Sequence, residues 1–335
     1  MTSQNDIDYL STTLRIVNPS TPIAITQPNH IDKTISTNPY IHAATATNTR
    51  EAYRSDIRHF EKSGGTLPAT IQDVITYLQS HAETLNPRTL SRRLTALKQW
   101  HIYQGFNDPT SDPSVRKTLK GIMNVHGKPK EKAHALTLDE LQQLSVHLEK
   151  ENTLIAHRDN ALFQLGFFGA FRRSELIQIR CDHVKRLKEG IEIMIPRSKT
   201  DQTGEGQCCA IPYGKQNLCS IRALDHWLNQ ANITNGFIFR KINRWGKLGQ
   251  ESLTPIAITQ IIKKRAKECV IPNANEFSSH SFRRGLASTA SQKGASLKSI
   301  MRQGRWRHVG TVLGYIEDSQ RFNDNAAATA LQDTP

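Results

Sequence analysis

Residues 125–132, Val-His-Gly-Lys-Pro-Lys-Glu-Lys, hold a glycine, a proline and a run of charges around one valine. They separate a pair of regions that each repeat apolar residues at helical spacing, so no continuous core can run through them. At 335 residues the chain is long enough for two cores, and the break predicts two domains joined by a linker over 126–135. Residues 1–40, rich in Thr, Ser, Asn, Pro and Ile without a steady period, are expected to be a disordered arm. There remain a helical domain over 41–125, a larger domain over 136–320 and a tail over 321–335.

Within the first domain, Tyr53, Ile57 and Phe60 share one helical face from Thr47 onward, and Ile71, Val74, Ile75 and Leu78 share the next. Asn86-Pro87 offers an N-cap and a first-turn proline for a third helix with Leu90, Leu94 and Leu97 inward. A fourth runs from about Ser114 through Leu119 and Ile122. In the second domain Thr137 and Glu140 have capping-box spacing at a helix start. Ile191, Ile193 and Ile195 alternate as in a strand, Gly204 and Gly206 mark a turn, and Cys209 to Tyr213 can return, so Lys199 rides on a hairpin. Helices are expected over 221–228, 256–267, 283–293 and 297–302. The fold class is therefore mainly α with one small β-sheet.

Lys and Arg number 44 against 30 Asp and Glu, a net charge of +14 that suits a polyanionic partner, nucleic acid first. Arg88, Arg92 and Arg93 lie off the leucine stripe of the third helix, and Arg116, Lys117 and Lys120 decorate the fourth. Two basic faces for phosphate or groove contact are expected there. The first thirty residues show no basic region followed by an apolar one, and the apolar stretch from Ala161 to Phe171 is interrupted by Gln164 and too short to span a bilayer. A soluble, cytoplasmic protein without membrane partners is expected, associated with the nucleoid. Five cysteines without a CxxC pair argue against a disulfide framework or zinc knuckle, and Cys181-Asp182-His183 lacks the second half of a metal site. With no phosphate-binding Gly-Lys-Ser/Thr loop and no two-metal cluster of acids, neither cofactor nor metal is expected.

Chemistry is concentrated in the second domain. Arg172 has Glu175 three residues on, a spacing that serves a helix-surface ion pair or a carboxylate steadying a buried guanidinium. Further on come His280-Ser281-Phe282-Arg283, then Trp306, then Tyr315 at the end of His308-Val309-Gly310-Thr311-Val312-Leu313-Gly314-Tyr315. Tyrosine is a poor nucleophile near its free pKa of about 10 and needs neighbours that take its proton and spread charge on a phosphate. Tyr315 flanks an apolar stripe of Val309, Val312, Leu313 and Ile316, a position that suits a core-edge tyrosine as well as a nucleophile.

The order Arg172, Lys199, His280-x-x-Arg283, Trp306, Tyr315 resembles the tyrosine recombinase (phage integrase) family, the last stretch being most like Cre. The resemblance covers roughly 136–320 and extends less specifically to the first domain, which is similar to the family's core-binding, SAM-like domain. It implies an α+β catalytic domain and a site-specific recombinase that cuts and rejoins double-stranded DNA through a 3′-phosphotyrosyl intermediate. Neither metal nor ATP is needed for that. By motif position Arg172 and Arg283 would grip the scissile phosphate, Lys199 would act as general acid, and His280 would assist proton transfer. Trp306 would contact phosphate through its one N–H donor, Tyr315 would attack, and Glu175 would support Arg172. A homotetramer on DNA is implied, monomer or weak dimer when free, with the tail helix over 321–335 docking on a neighbouring subunit. Two departures stand out: Phe171 where the family has Leu or Met, and Gln303-Gly304-Arg305-Trp306 where many members have Leu-Gly-His. The rival readings are a type IB topoisomerase-like strand cleavage and religation, or a catalytically silent DNA-binding accessory protein.

Overall fold

Thr47–Lys62 (α1), Ile71–Ser80 (α2), Pro87–Gln104 (α3) and Pro113–His126 (α4) are the four helices at the start of a computed structural model that describes residues 44–129, 132–196, 206–320 and 327. Their ends follow local chemistry. Thr70 and Asp73 form a capping box on α2, Asn86 accepts from the Arg88 N–H at 2.9 Å ahead of Pro87, and Gly105 closes α3 with φ 77°. Phe60, Val74, Leu78, Leu90, Leu94, Leu97 and Val115 make one buried core. A polar seam runs beside it. Arg92 Nη2 reaches Asp56 Oδ1 at 2.8 Å, and Arg93 Nη1 donates to the Tyr77 hydroxyl at 2.7 Å.

The chain divides into two compact units with the boundary between Lys130 and Glu131. The second begins at Leu138–Glu151 (α5), where Thr137 and Glu140 form the capping box that the spacing predicts. Leu154–Phe168 (α6) is buried continuously from Ala156 to Phe167, because α5, Ser220–Gln230 (α8) and Ser279–Gln292 (α10) all pack against it. This is the apolar stretch noted above; among the described residues no helix is long and apolar enough to cross a membrane. The buried charges on α6 are paired. Asp159 takes Arg158 at 2.8 Å and Arg265 of Pro255–Glu268 (α9) at 2.8 Å, and Arg265 also reaches Glu151 and Glu268.

Arg173–Ile177 (α7) follows α6, and Leu297–Gly304 (α11) and Val309–Gln320 (α12) follow α10. Where one sheet was expected, the described residues hold two. Val184–Arg186 (β1), Gly190–Ile195 (β2) and Gln207–Pro212 (β3) form an antiparallel sheet in that order, with Ile193 opposite Cys209 and Ile191 opposite Ile211. Arg240–Ile242 (β4) and Leu248–Ser252 (β5) form a separate hairpin. β1 and β4 are three residues each, too short to show a period. The architecture is mainly helical with small antiparallel sheets. The expected arm over 1–40, Lys199 and the tail over 321–335, apart from Ala327, lie outside the described residues.

Candidate active site

α6 does not continue into the Arg172 motif. Phe168 ends it, and Ala170 takes φ 43°, a left-handed conformation that costs a residue with a Cβ about 1–2 kcal/mol. Arg172 then caps the five-residue α7. Its backbone N–H donates to Glu175 Oε2 at 2.9 Å and its Nη1 to Glu175 Oε1 at 2.6 Å. The surface ion pair left open by the spacing is therefore set aside: the Glu175 side chain is 2% exposed, against 19% for Arg172. Burial alone would raise the Glu175 pKa; the charge of Arg305, the Arg172 N–H and the Arg172 guanidinium outweigh it and hold the carboxyl below its ordinary 4.5.

α10 brings the second motif. Ser278 caps it by accepting from the His280 N–H at 3.1 Å, so His280 sits exposed in the first turn and Arg283 is buried one turn on. Close packing fixes this helix. Phe282 meets Phe163 of α6 with ring centroids 5.8 Å apart, and a Cβ on Gly285 would lie 1.9 Å from the Leu136 carbonyl oxygen. Arg283 donates through Nη1 to the Ala170 carbonyl and through Nη2 to the Gly304 carbonyl at 2.9 Å. Its guanidinium lies over the Trp306 ring at 4.5 Å. Burial, then repulsion from Arg172, pulls its pKa down to about 10, so it remains a cation at neutral pH.

Past α11 the backbone turns at Arg305, φ 54°, and the Trp306 N–H donates to the Met301 carbonyl at 3.0 Å. Trp306 and Tyr315 of α12 meet edge to face, centroids 6.1 Å apart. The two rings belong to a small cluster with Ala170, Ala287, Ile300 and Val312. The expected stripe on α12 needs correction: Val312 is buried, Val309 and Leu313 are exposed, and Tyr315 itself is half-buried. Ile316 packs against the cluster, and solvent covers Val309 and Leu313 because this cluster is separate from the main core and reaches only one side of the helix.

Arg172, Glu175, Arg283, Trp306 and Tyr315 are thus brought to one place, with His280 one turn before Arg283. Lys199 lies outside the described residues, but the hairpin that leads to it is anchored here. Gln303 Nε2 donates to the Phe168 carbonyl at 2.8 Å and to the Ala210 carbonyl of β3 at 3.1 Å. Sequence reasoning missed two cations. Arg305 reaches Glu175 Oε2 at 3.2 Å, and Arg284 places its guanidinium carbon 5.2 Å from the centre of the Tyr315 ring. Arg305 stands inside the departure from Leu-Gly-His, so the departure itself was the available signal.

The basic residues of the first unit divide. Arg88, Arg92, Arg116, Lys117 and Lys120 are exposed. Arg93 is not available to a partner: its side chain is 11% exposed and turned to Asp56, Tyr77 and His59, since buried Asp56 needs a counter-charge. Among the described residues one group, His147, Glu151 and Glu268, has metal-ligand atoms within 4.8 Å of one another. Both of its carboxylates are engaged by Arg265.

The phage integrase family model matches residues 134–321, more than half of the chain and the whole of this cluster. The chain belongs to the phage integrase family. This integrase is 36% identical over 295 residues to an integrase/recombinase xerD homolog of Selenomonas ruminantium, covering 85% of this chain and 86% of the relative. Against the tyrosine recombinase XerC of Erythrobacter litoralis it is 24% identical over 288 residues, 82% and 80% of the two chains. Its fold resembles that of the XerH site-specific recombinase solved on a palindromic difH substrate after cleavage, with TM-score 0.60 at 16% identity over 86% of this chain and 80% of that one. A lambda integrase dimer on a COC′ core site gives 0.59 at 16% over 84% and 75%. The integrase is a site-specific recombinase of the tyrosine type.

Proposed function

We propose that this recombinase binds short sites in double-stranded DNA and breaks one strand at a time by transesterification. The Tyr315 hydroxyl oxygen attacks the scissile phosphorus, the bond from phosphorus to the 5′-oxygen breaks, and a 3′-phosphotyrosyl link forms. The tyrosine proton passes toward His280, and the departing 5′-oxygen takes a proton from Lys199. Attack by a 5′-hydroxyl of the partner strand reverses the sequence and frees Tyr315. The number of phosphoester bonds is conserved, so no outside energy source is required. Arg172 and Arg283 stabilise the extra negative charge on the non-bridging oxygens, a task for which planar guanidinium donors are suited. Trp306 packs against Arg283 and offers its indole N–H to the phosphate.

The observation that carries this reading is the Arg283 guanidinium over the Trp306 ring at 4.5 Å and the edge-to-face contact of Trp306 with Tyr315 at 6.1 Å, with Arg172 held beside them by Glu175. In the same reading the unit over 41–125 is the core-binding module, 126–135 the linker and 136–320 the catalytic domain. Strand exchange takes place in a homotetramer joining two duplexes, with the tail beyond 320 held by a neighbouring subunit.

The test starts by footprinting the protein on its native target, then builds a nicked suicide duplex from the protected sequence. Without added metal, the wild type is expected to accumulate a covalent protein–DNA adduct, and Tyr315→Phe to bind the duplex equally well without forming one. An adduct that persists in Tyr315→Phe would assign the nucleophile elsewhere.

A further inference from the structure

Arg305 stands in a position that disfavours it twice. Its φ of 54° lies in the left-handed region that suits glycine, and its Nε is buried with no hydrogen-bond partner among the described residues. A side chain kept against two such costs is held by something else. Here its remaining donors are spent on the turn that carries Arg172: Nη2 lies 3.1 Å from the Gly169 carbonyl, 3.3 Å from the Ala170 carbonyl and 3.2 Å from Glu175 Oε2, while Nη1 donates to the Gln303 carbonyl at 2.9 Å. The guanidinium also stacks on Phe171 at 4.8 Å. Two of these partners are shared with the phosphate-gripping pair, since Glu175 also receives Arg172 and the Ala170 carbonyl also receives Arg283.

We infer that Arg305 is a positioning residue for strand cleavage: it clamps Glu175 and the Gly169–Ala170 turn so that Arg172 and Arg283 present their guanidinium groups to one phosphate. The inference rests on the recombinase reading and deepens it. Three cations at one place repel each other, and Glu175 is the anion that lets Arg172, Arg283 and Arg305 coexist. Among the described residues the Cys209 thiol of β3 also faces Glu175, and burial holds it protonated. Without Arg305 the carboxylate loses its largest electrostatic support, its pKa rises, and protonation releases Arg172 at a higher pH.

Arg305→Gly is the informative variant, because glycine accepts the backbone angle without strain and the fold is kept. Single-turnover adduct formation on the suicide duplex is measured for the full-length wild type, Arg305→Gly, Glu175→Gln and the double variant, from pH 5 to pH 9. Arg305→Gly is expected to bind the duplex as the wild type does and to cleave about 10²-fold more slowly, the order expected for misplaced reacting groups. The ratio of its rate to that of the wild type is expected to fall further toward acid pH, as Glu175 takes up a proton, and to lose this dependence in the Glu175→Gln background, a behaviour that a purely structural residue would not produce. The double variant is expected to be little slower than Glu175→Gln, since both changes act on one unit. Arg305→Gly cleaving at the wild-type rate, a rate ratio with the same pH dependence in the Glu175→Gln background, or fully additive losses would each overturn the clamp while leaving the recombinase reading intact. No adduct in the wild type would overturn both.

Discussion

Gly304 and Trp306 share a geometry that tolerates no side chain between them. A Cβ on Gly304 would lie 1.9 Å from the Trp306 ring. The ring cannot retreat, because Arg283 covers one face and Tyr315 meets its edge. Gly304→Ala is therefore expected to move Trp306, and with it the Arg283 guanidinium, by a large fraction of an ångström. Overpacking of this kind costs about 1–3 kcal/mol of stability, and such displacement slows chemistry by about 10²-fold. Thermal unfolding and single-turnover cleavage measured together check this: the loss of rate must exceed anything explained by the unfolded fraction, and unchanged cleavage would mean that the ring's position is immaterial. At this scale the sequence was informative about residues whose chemistry is carried by type. The family resemblance named Arg172, His280, Arg283, Trp306 and Tyr315, and the fold brings Arg172, Arg283, Trp306 and Tyr315 together with His280 one turn before Arg283. For Arg305 the sequence offered only the departure from Leu-Gly-His and not what the side chain does, because its contacts with Gly169, Ala170 and Glu175 lie 130 or more positions away.

Helices in this protein were legible where capping chemistry and period agreed, as in α3 and α5, and from period alone in α2. The short strands β1, β4 and β5 were not, since pairing partners rather than local pattern hold them. The packing of one helix end on another also escaped the sequence, and α3 shows its consequence. His101 is fully buried: Nε2 accepts the Ala69 N–H at 2.9 Å just ahead of α2, and Nδ1 donates to the Leu97 carbonyl at 2.8 Å. Burial lowers its pKa from 6.5, and His59 on α1 is lowered for the same first reason, followed by repulsion from Arg93. Between the lowered native values and the unfolded value of 6.5, the unfolded chain binds more protons than the native one. The stability these histidines contribute is thus present above that value and lost as pH falls through it. Protection of the α2 and α3 amides, taken relative to the intrinsic exchange rate at each pH, is expected to fall on acidification from about pH 7 to about pH 5. In His101→Leu the exchange should be faster already at pH 7, because the Ala69 N–H has lost its acceptor, and the acid response should be smaller. An acid response of undiminished size in that variant would place the titration elsewhere.

For the whole molecule, an excess of 14 positive charges is expected to make attraction to the phosphates of a duplex a large part of affinity, and salt the means of resolving it. The six basic residues picked out in the first unit are not equivalent under this test. Lys117 is exposed on α4, so Lys117→Ala, if that lysine meets a phosphate, lowers the slope of log affinity against log salt by about 0.9 and leaves stability nearly unchanged. Arg93 is spent internally. Its removal leaves Asp56, 2% exposed, with Arg92 as remaining partner at 2.8 Å, and is expected to cost about 1–3 kcal/mol of folding stability while the salt slope stays as in the wild type. Fluorescence anisotropy titrations on the footprinted duplex from about 50 to 200 mM salt, beside chemical denaturation of the same proteins, separate the two behaviours. A reduced slope for Arg93→Ala would show that its guanidinium leaves Asp56 for the DNA backbone on binding. An unchanged slope for Lys117→Ala would remove α4 from the DNA-contacting surface and leave the +14 charge to act through other faces.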